Sequence, residues 1–276
     1  MGNCSTNTCC EDSLQGRQLV SGVKDFSHMQ QDIENKQQKD YEVITYGDGS
    51  SYKGEFRVGK SPQEYIREGF GVQSWADGSK YVGYWRENQA NGFGKLYHAD
   101  GDYYEGEWLN DNAHGKGTYI QTNGTKYQGD WQDDKQHGFG VETWADGSRF
   151  EGQYFGGKKK GRGKMFLADG SVYDGEFNND DINGFGKYTW KDGKTFEGGW
   201  ENNKMSGKGK MRWPDGKEYE GEFLDDKRHG YGVYRWEDGR LYEGSWKQGK
   251  QHGEGFYTNA TGQRAKGEWD DGKRIK

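Results

Sequence analysis

Beyond residue 10 the sequence contains no cysteine: all three thiols, Cys4, Cys9 and Cys10, stand in the opening MGNCSTNTCC. Three thiols gathered at one end cannot staple a domain with disulfides. A tetrahedral zinc site would need histidines within reach, and the first is His28. No apolar run approaches 18 residues, which excludes a membrane-spanning helix, and no hydrophobic stretch follows the N-terminus as a secretory signal would. The expectation is an intracellular protein whose sequons at Asn123 and Asn259 go unused. Positive charge is also in short supply. A net charge of −6 argues against nonspecific binding of the whole molecule to nucleic acid or anionic lipid.

Aliphatic residues are scarce too, and the mean hydropathy is −1.31. That figure alone would suggest disorder, because too little apolar surface exists to offset chain entropy. Two features oppose it. Aromatics reach 16%, with 11 Trp, and 48 Gly stand beside only 2 Pro, which is not the composition of a flexible linker.

Self-similarity resolves the conflict. Pentads such as YKGEF, YVGYW, YEGEW, YQGDW and FEGQY begin at Tyr52, Tyr81, Tyr104, Tyr127 and Phe150, and continue at Tyr173, Phe196, Tyr219, Tyr242 and Ala265. From Tyr81 onward each step is 23 residues; the first is 29, with the surplus around residues 61–68. Each unit then shows a Gly-x-Gly, as in Gly92-Phe-Gly94, and most end at an Asp-Gly such as Asp146-Gly147.

Within a unit the periodicity is two, the strand signal. In Tyr104-Glu-Gly106-Glu-Trp108 the rings and glycine share one face and the acids the other. Pairing Tyr104 with Tyr119 and Trp108 with Gly115 gathers the rings on one face, with glycines leaving room for them. The other face then pairs Glu107 with Lys116, Glu151 with Lys164, Asp174 with Lys187 and Glu197 with Lys210 as a wet surface. An odd period would flip the faces at every unit unless one connection has odd parity. That connection is assigned to Asp-Gly, as a three-residue loop or bulged turn with Gly at positive φ; longer tips such as residues 110–114 and 133–137 join the strands within a unit. The expected fold is all-β: an elongated, single-layer antiparallel meander of about nine 23-residue β-hairpin repeats, roughly 85 Å long.

The pattern Y-x-G-x-W…(H/N)-G-x-G…D-G resembles the MORN repeat (membrane occupation and recognition nexus) over residues 41–276. Lys160, Ser206 and Glu68 depart from the usual His or Asn, and Ala265 from the leading aromatic. Residues 41–49 read as the second strand of a half-repeat closing one end, and 265–269 as its counterpart at the other. The resemblance implies a scaffold, often dimeric, at membrane–cytoskeleton junctions, the cell cortex or cilia, gripping a protein partner along the ribbon. Candidate contacts are Trp85, Trp108, Trp131, Trp144, Trp200 and Trp246; the competing reading of those rows is self-stacking that stabilises the sheet.

Catalysis finds little footing. His114, His137, His229 and His252 recur at one repeat position, as turn residues do and catalytic residues do not. The Gly-x-Gly pairs lack a third glycine and a crossover helix, and the EF-hand-like run at 179–184 has Trp190 where the bidentate Glu belongs. The expectation is therefore no enzyme, no cofactor and no metal. Lys158, Lys159, Lys160 and Arg162 form the densest basic cluster, a candidate contact for phosphoinositide headgroups, or simply a solvated tip.

The N-terminal segment 1–12 completes the reading. Met-Gly-Asn-Cys-Ser-Thr fits N-myristoylation at Gly2, and adjacent cysteines are the usual S-palmitoylation arrangement, here Cys4, Cys9 and Cys10. One acyl chain binds reversibly, and residues 11–40 hold six acids against four bases, so palmitoyl groups must supply the second signal. Residues 13–40 read as a polar linker, in which Ser27-His-Met-Gln30 would be a capping box and Phe26, Met29 and Ile33 one face of a short helix. The functional expectation is a lipid-anchored scaffold on the cytoplasmic side of a membrane, with a direct anionic-lipid-binding module as the alternative.

Overall fold

The computed structural model describes residues 26–276; Gly2, Cys4, Cys9, Cys10 and the rest of the expected acylation segment lie outside the described residues. After one helix, α1 (Ser27–Gln37), the chain forms a 21-stranded antiparallel sheet in which each strand pairs with its neighbours along the chain. This is the expected single-layer meander. Val43–Thr45 closes one end as the return strand of a half-repeat, and Arg264–Asp270 with Lys273–Arg274 closes the other.

One unit shows how the residues dictate the turns. The leading strand Tyr103–Leu109 and return strand Asn112–Ile120 are joined by two residues only, Asn110 (φ 49) and Asp111 (φ 69). Consecutive left-handed residues make the tight turn whose twist matches the strands. The expected longer tips are thus corrected. The residues that seemed to belong to them lie in the return strand, as a bulge opposite Glu107: Trp108 pairs with Ala113, and Gly106 with Gly117. Gly115 (φ 62) takes the left-handed conformation in that bulge and faces Trp131 of the next strand, not Trp108. The bulge adds two residues and the tip has two, so neither changes parity. The odd step is the Asp-Gly turn, as expected. His98 N–H donates to Asp102 O (2.8 Å) and Gly101 N–H to His98 O (3.0 Å), leaving a three-residue loop with Gly101 at φ 96.

Two side-chain roles hold the bulges in place. The acid at the fourth position of the pentad caps the bulge amide: Glu107 accepts from Lys116 N–H (3.1 Å), Asp130 from Phe139 N–H (2.9 Å) and Glu176 from Phe185 N–H (3.2 Å). The expected Glu107–Lys116 side-chain pair is therefore corrected, because Lys116 Nζ reaches Asp130 (2.5 Å) instead. The expected registers Glu151–Lys164, Asp174–Lys187 and Glu197–Lys210 are present. The second tip residue clamps the preceding unit. Asp134 accepts from Ala113 N–H (2.7 Å) while its own N–H donates to Ala113 O (3.1 Å), and Asp226 does the same at Met205.

On one face the rings form an uninterrupted edge-to-face ladder. Tyr81–Trp108, Trp108–Tyr104, Tyr104–Trp131, Trp131–Tyr127 and Tyr127–Tyr154 have centroids 5.1–5.3 Å apart, and the chain of contacts runs on to Tyr242–Trp269 at 4.8 Å. Each leading Tyr or Phe lies over the second glycine of its Gly-x-Gly and is buried. The sheet's core is this ladder, with each edge-to-face pair contributing about 0.5–1.5 kcal/mol beyond its burial.

The opposite face is wet along most of its length, but not at the first repeats. There Phe70, Val72, Val82, Tyr84 and Phe93 stand where later units carry mostly charge, and α1 covers them. Phe26 stacks on Phe93 (4.8 Å), Ile33 is buried, and Lys36 lies over the Tyr84 ring (4.9 Å). The expected helix is present, whereas the capping box is not formed: Phe26 occupies the N-cap and Ser27 is the first helical residue. Met29 is exposed. The expected result for Ile33→Asp is release of α1 from an intact ribbon, since the helix is too short to persist unsupported. Hydrogen exchange should lose protection over Ser27–Gln37 while the strands keep theirs; loss of strand protection as well would contradict it.

Candidate functional site

The ladder face carries a trough. Its floor is the rings, one wall is the row of return-strand residues including Leu96 and Tyr119, and the other is the row at the bulge, Ala113 and Gln136. Over the third and fourth units this makes a cavity of about 580 Å³ lined by Leu96, Tyr104, Trp108, Tyr119 and Trp131, with Asp111, Asp134 and Lys135 at its margin. Tyr119 donates to Asp102 (2.9 Å); burial and that carboxylate push its phenol up to about 12. Burial also drives the leading tyrosines of the ladder well above the ordinary phenol range, so they remain neutral donors, each to the carbonyl three residues on, as Tyr104 to Glu107 O (3.0 Å), while Tyr154 donates to the Glu142 carboxylate (3.0 Å).

The six candidate tryptophans do not occupy equivalent places. Trp85, Trp108, Trp200 and Trp246 are ladder members only 5–8% exposed, and each indole N–H donates to a glycine carbonyl of the preceding strand at 3.1–3.2 Å. Trp131 is half-buried in the same row, and its indole nitrogen is enclosed without a hydrogen-bond partner. Trp144 lies off the ladder, at the Asp146-Gly147 turn, with Lys159 Nζ 4.9 Å from its ring. The rings therefore stabilise the sheet and at the same time form the trough's floor.

The basic cluster is split by the strand it occupies. Alternation along Lys158–Phe166 turns Lys159 to the ladder face, where it pairs with Glu142 (2.9 Å), while Lys158, Lys160 and Arg162 are exposed on the opposite side. The repeated histidines sit at the bulges beside the tips; His114 Nδ1 lies 3.8 Å from Asp133 and His252 Nδ1 3.4 Å from Asp270. Among the described residues, no group of His, Cys, Asp and Glu has the arrangement of a metal site, and no helix is long and apolar enough to cross a membrane.

Sequence reasoning missed a set of cations in the bulge row. Arg67, Lys159 and Arg228 occupy one repeat position and point over the rings: Arg67 over Trp85 (4.0 Å), Lys159 over Trp144, and Arg228 over Trp246 (4.2 Å). Burial lowers the pKa of both arginines. The signal was available, since a lone basic residue amid Ala, Gln, Ile and Met at one register position marks a charge on the ring face.

A family model for the MORN repeat matches nine segments, at residues 64–80, 81–103, 104–126, 127–149, 150–172, 173–195, 196–218, 219–239 and 242–264. The chain belongs to the MORN-repeat family. Among curated proteins no relative matches this MORN chain. Solved structures that resemble it include the TCP10 domain of Danio rerio CPAP in complex with a peptide of Danio rerio STIL. That likeness has 12% identity over 86% of this chain and 98% of that one, with a TM-score of 0.45. A second is the SAS-4 (dCPAP) TCP domain with a proline-rich motif of Ana2 (dSTIL) of Drosophila melanogaster, at 12% identity, 64% and 86% coverage and a TM-score of 0.34. Virginiamycin B lyase from Staphylococcus aureus follows at 11% identity, 83% and 69% coverage and 0.16. At these scores the likenesses carry no argument about this chain. The nine matched segments coincide with the hairpins that build the trough, so the ring ladder is the repeat's own framework.

Proposed function

We propose that this MORN-repeat chain is a non-enzymatic scaffold that joins the cytoplasmic face of a membrane to a protein partner, in a cortical, cytoskeletal or ciliary setting. The trough on the ladder face supports this reading most strongly. It is rigid, because the rings are locked edge to face. It is long, because the units repeat, and its polar margins and ring floor suit an extended protein segment better than a compact metabolite. A second copy of the chain is a further candidate occupant.

Membrane attachment is assigned to Gly2 and to one or more of Cys4, Cys9 and Cys10. A myristoyl group alone binds marginally, at about 10⁴ M⁻¹, so both signals are required. In cell fractionation, Gly2→Ala and the triple substitution Cys4→Ser, Cys9→Ser, Cys10→Ser are each expected to move the protein from membrane to soluble fraction. Full membrane retention of Gly2→Ala would show that acylation is not the anchor. Direct headgroup binding by the repeats is the weaker reading, because the strand divides Lys158, Lys159, Lys160 and Arg162 between two faces.

A further inference from the structure

The three bulge-row cations differ in what completes them. Arg67 donates to Gln73 Oε1 (3.1 Å) and to Asn88 O (2.7 Å), and Lys159 has the Glu142 carboxylate. Arg228 has neither: the position matching Gln73 is Tyr234, and the position matching Glu142 is Met211. Its guanidinium lies 4.2 Å from the Trp246 ring, 5.1 Å from Tyr234 and 5.8 Å from Tyr219, and one Nη donates to Gly249 O at 2.8 Å. Among the described residues no carboxylate pairs with it. The side chain opens on a cavity of about 300 Å³ lined by Arg228, Tyr234, Trp236, Trp246, Lys250 and Gln251. Stacking on aromatic faces compensates part of a cation's desolvation, but leaves the in-plane donors other than the one on Gly249 O free to take a carboxylate.

We propose that this cavity is a carboxylate subsite at the C-terminal end of the trough, which receives an acidic side chain of the bound protein segment through the in-plane donors of Arg228. Tyr234, Trp236 and Trp246 line the cavity beside the guanidinium, where a charge-assisted pair is stronger than one made in open water. Lys250 stands at the margin but is engaged with Asp271 (2.7 Å), so Arg228 is the anchor. The inference rests on the scaffold reading of the trough and names the chemistry it selects.

The test uses the full chain, following the Arg228 Nε–H resonance by NMR, with Arg67 as internal reference. The probes are acetate, the tripeptide acetyl-Leu-Glu-Leu-amide, its Gln counterpart, and inorganic phosphate. Acetate and the Glu peptide are expected to shift Arg228 saturably and leave Arg67 unmoved, with the Glu peptide at least tenfold tighter than the Gln peptide. Arg228→Lys, which keeps the charge but loses the fork, should weaken the Glu peptide about tenfold with the melting temperature unchanged. No shift with acetate, equal binding of the two peptides, or a response to phosphate alone would each overturn the assignment. None of these readouts depends on acylation, so a failure of the anchor and a failure of the subsite are distinguishable.

Discussion

Gly117→Ala is expected to destabilise the ribbon by about 3 kcal/mol, far more than a glycine substitution in an exposed strand would suggest. Gly117 is not in a left-handed conformation, so the cost is steric. A Cβ there would meet Tyr104 Oη at 2.2 Å and two ring carbons at 2.5 Å, well inside van der Waals contact. The ring has nowhere to go, because Trp108 and Trp131 flank it with centroids 5.1 Å away on both sides. Moving it would also break the hydrogen bond from its hydroxyl to Glu107 O. Gly147→Ala is the comparison. Its Cβ would meet nothing within 4 Å, but φ is 84, so the cost there is about 1 kcal/mol of backbone strain. Chemical denaturation of both variants decides the matter: equal midpoints would mean the ring does not fix the glycine. The double variant Gly117→Ala, Tyr104→Ala should cost less than the sum of the two single changes, since the two positions share one contact.

The same distinction, positive φ against a ring overhead, separates the two glycines of each Gly-x-Gly, which look alike in sequence. The first sits in the bulge at positive φ and the second lies under a ring. The meander, its faces and the odd Asp-Gly turn were all legible, because periodicity and parity are carried by residue order. Bulge and tip length were not, for the same reason: the bulge adds two residues and leaves parity unchanged, so no alternation is disturbed. The role of Glu107 was hidden with it, since an amide freed by a bulge cannot be seen until the bulge is. The seat of α1 was legible in principle. Val82, Tyr84 and Phe93 break the charged pattern of the opposite face, and an apolar patch confined to the repeats nearest the helix points to the helix as its cover. Arg228 could be read as a cation in an otherwise mostly uncharged row, but its lack of a partner depends on which side chains register brings beside it.

Deleting Gln128 alone is expected to cost more than deleting the whole unit 127–149. Removal of 23 residues joins Lys126 to Phe150 and puts Phe150, Gly152 and Tyr154 where Tyr127, Gly129 and Trp131 stood. The ladder closes again, with Tyr154 against Tyr104. The clamp on Ala113 passes from Asp134 to Gly157, which already makes the equivalent main-chain bond to the unit before it, to Gln136 O at 2.9 Å. Because each repeat contacts only its neighbours, the shortened ribbon should fold, about 10 Å shorter by small-angle scattering. Loss of Gln128 offers no such solution. If the strand keeps its register beyond the gap, Lys126 falls into the enclosed place of Tyr127 and Tyr127 turns to solvent. If it keeps register before the gap, Asp130 replaces Gly129, where a Cβ would lie 2.6 Å from Gly140 Cα, and Trp131 leaves the ladder. Either way a fully packed ring or its equivalent is lost, a cost of about 3–5 kcal/mol with an ion or a clash added. Thermal unfolding followed by tryptophan fluorescence should show the unit deletion within a few degrees of the parent and the single deletion far below it. The opposite order would mean that the strands slide in register more freely than a ladder of interlocked rings allows.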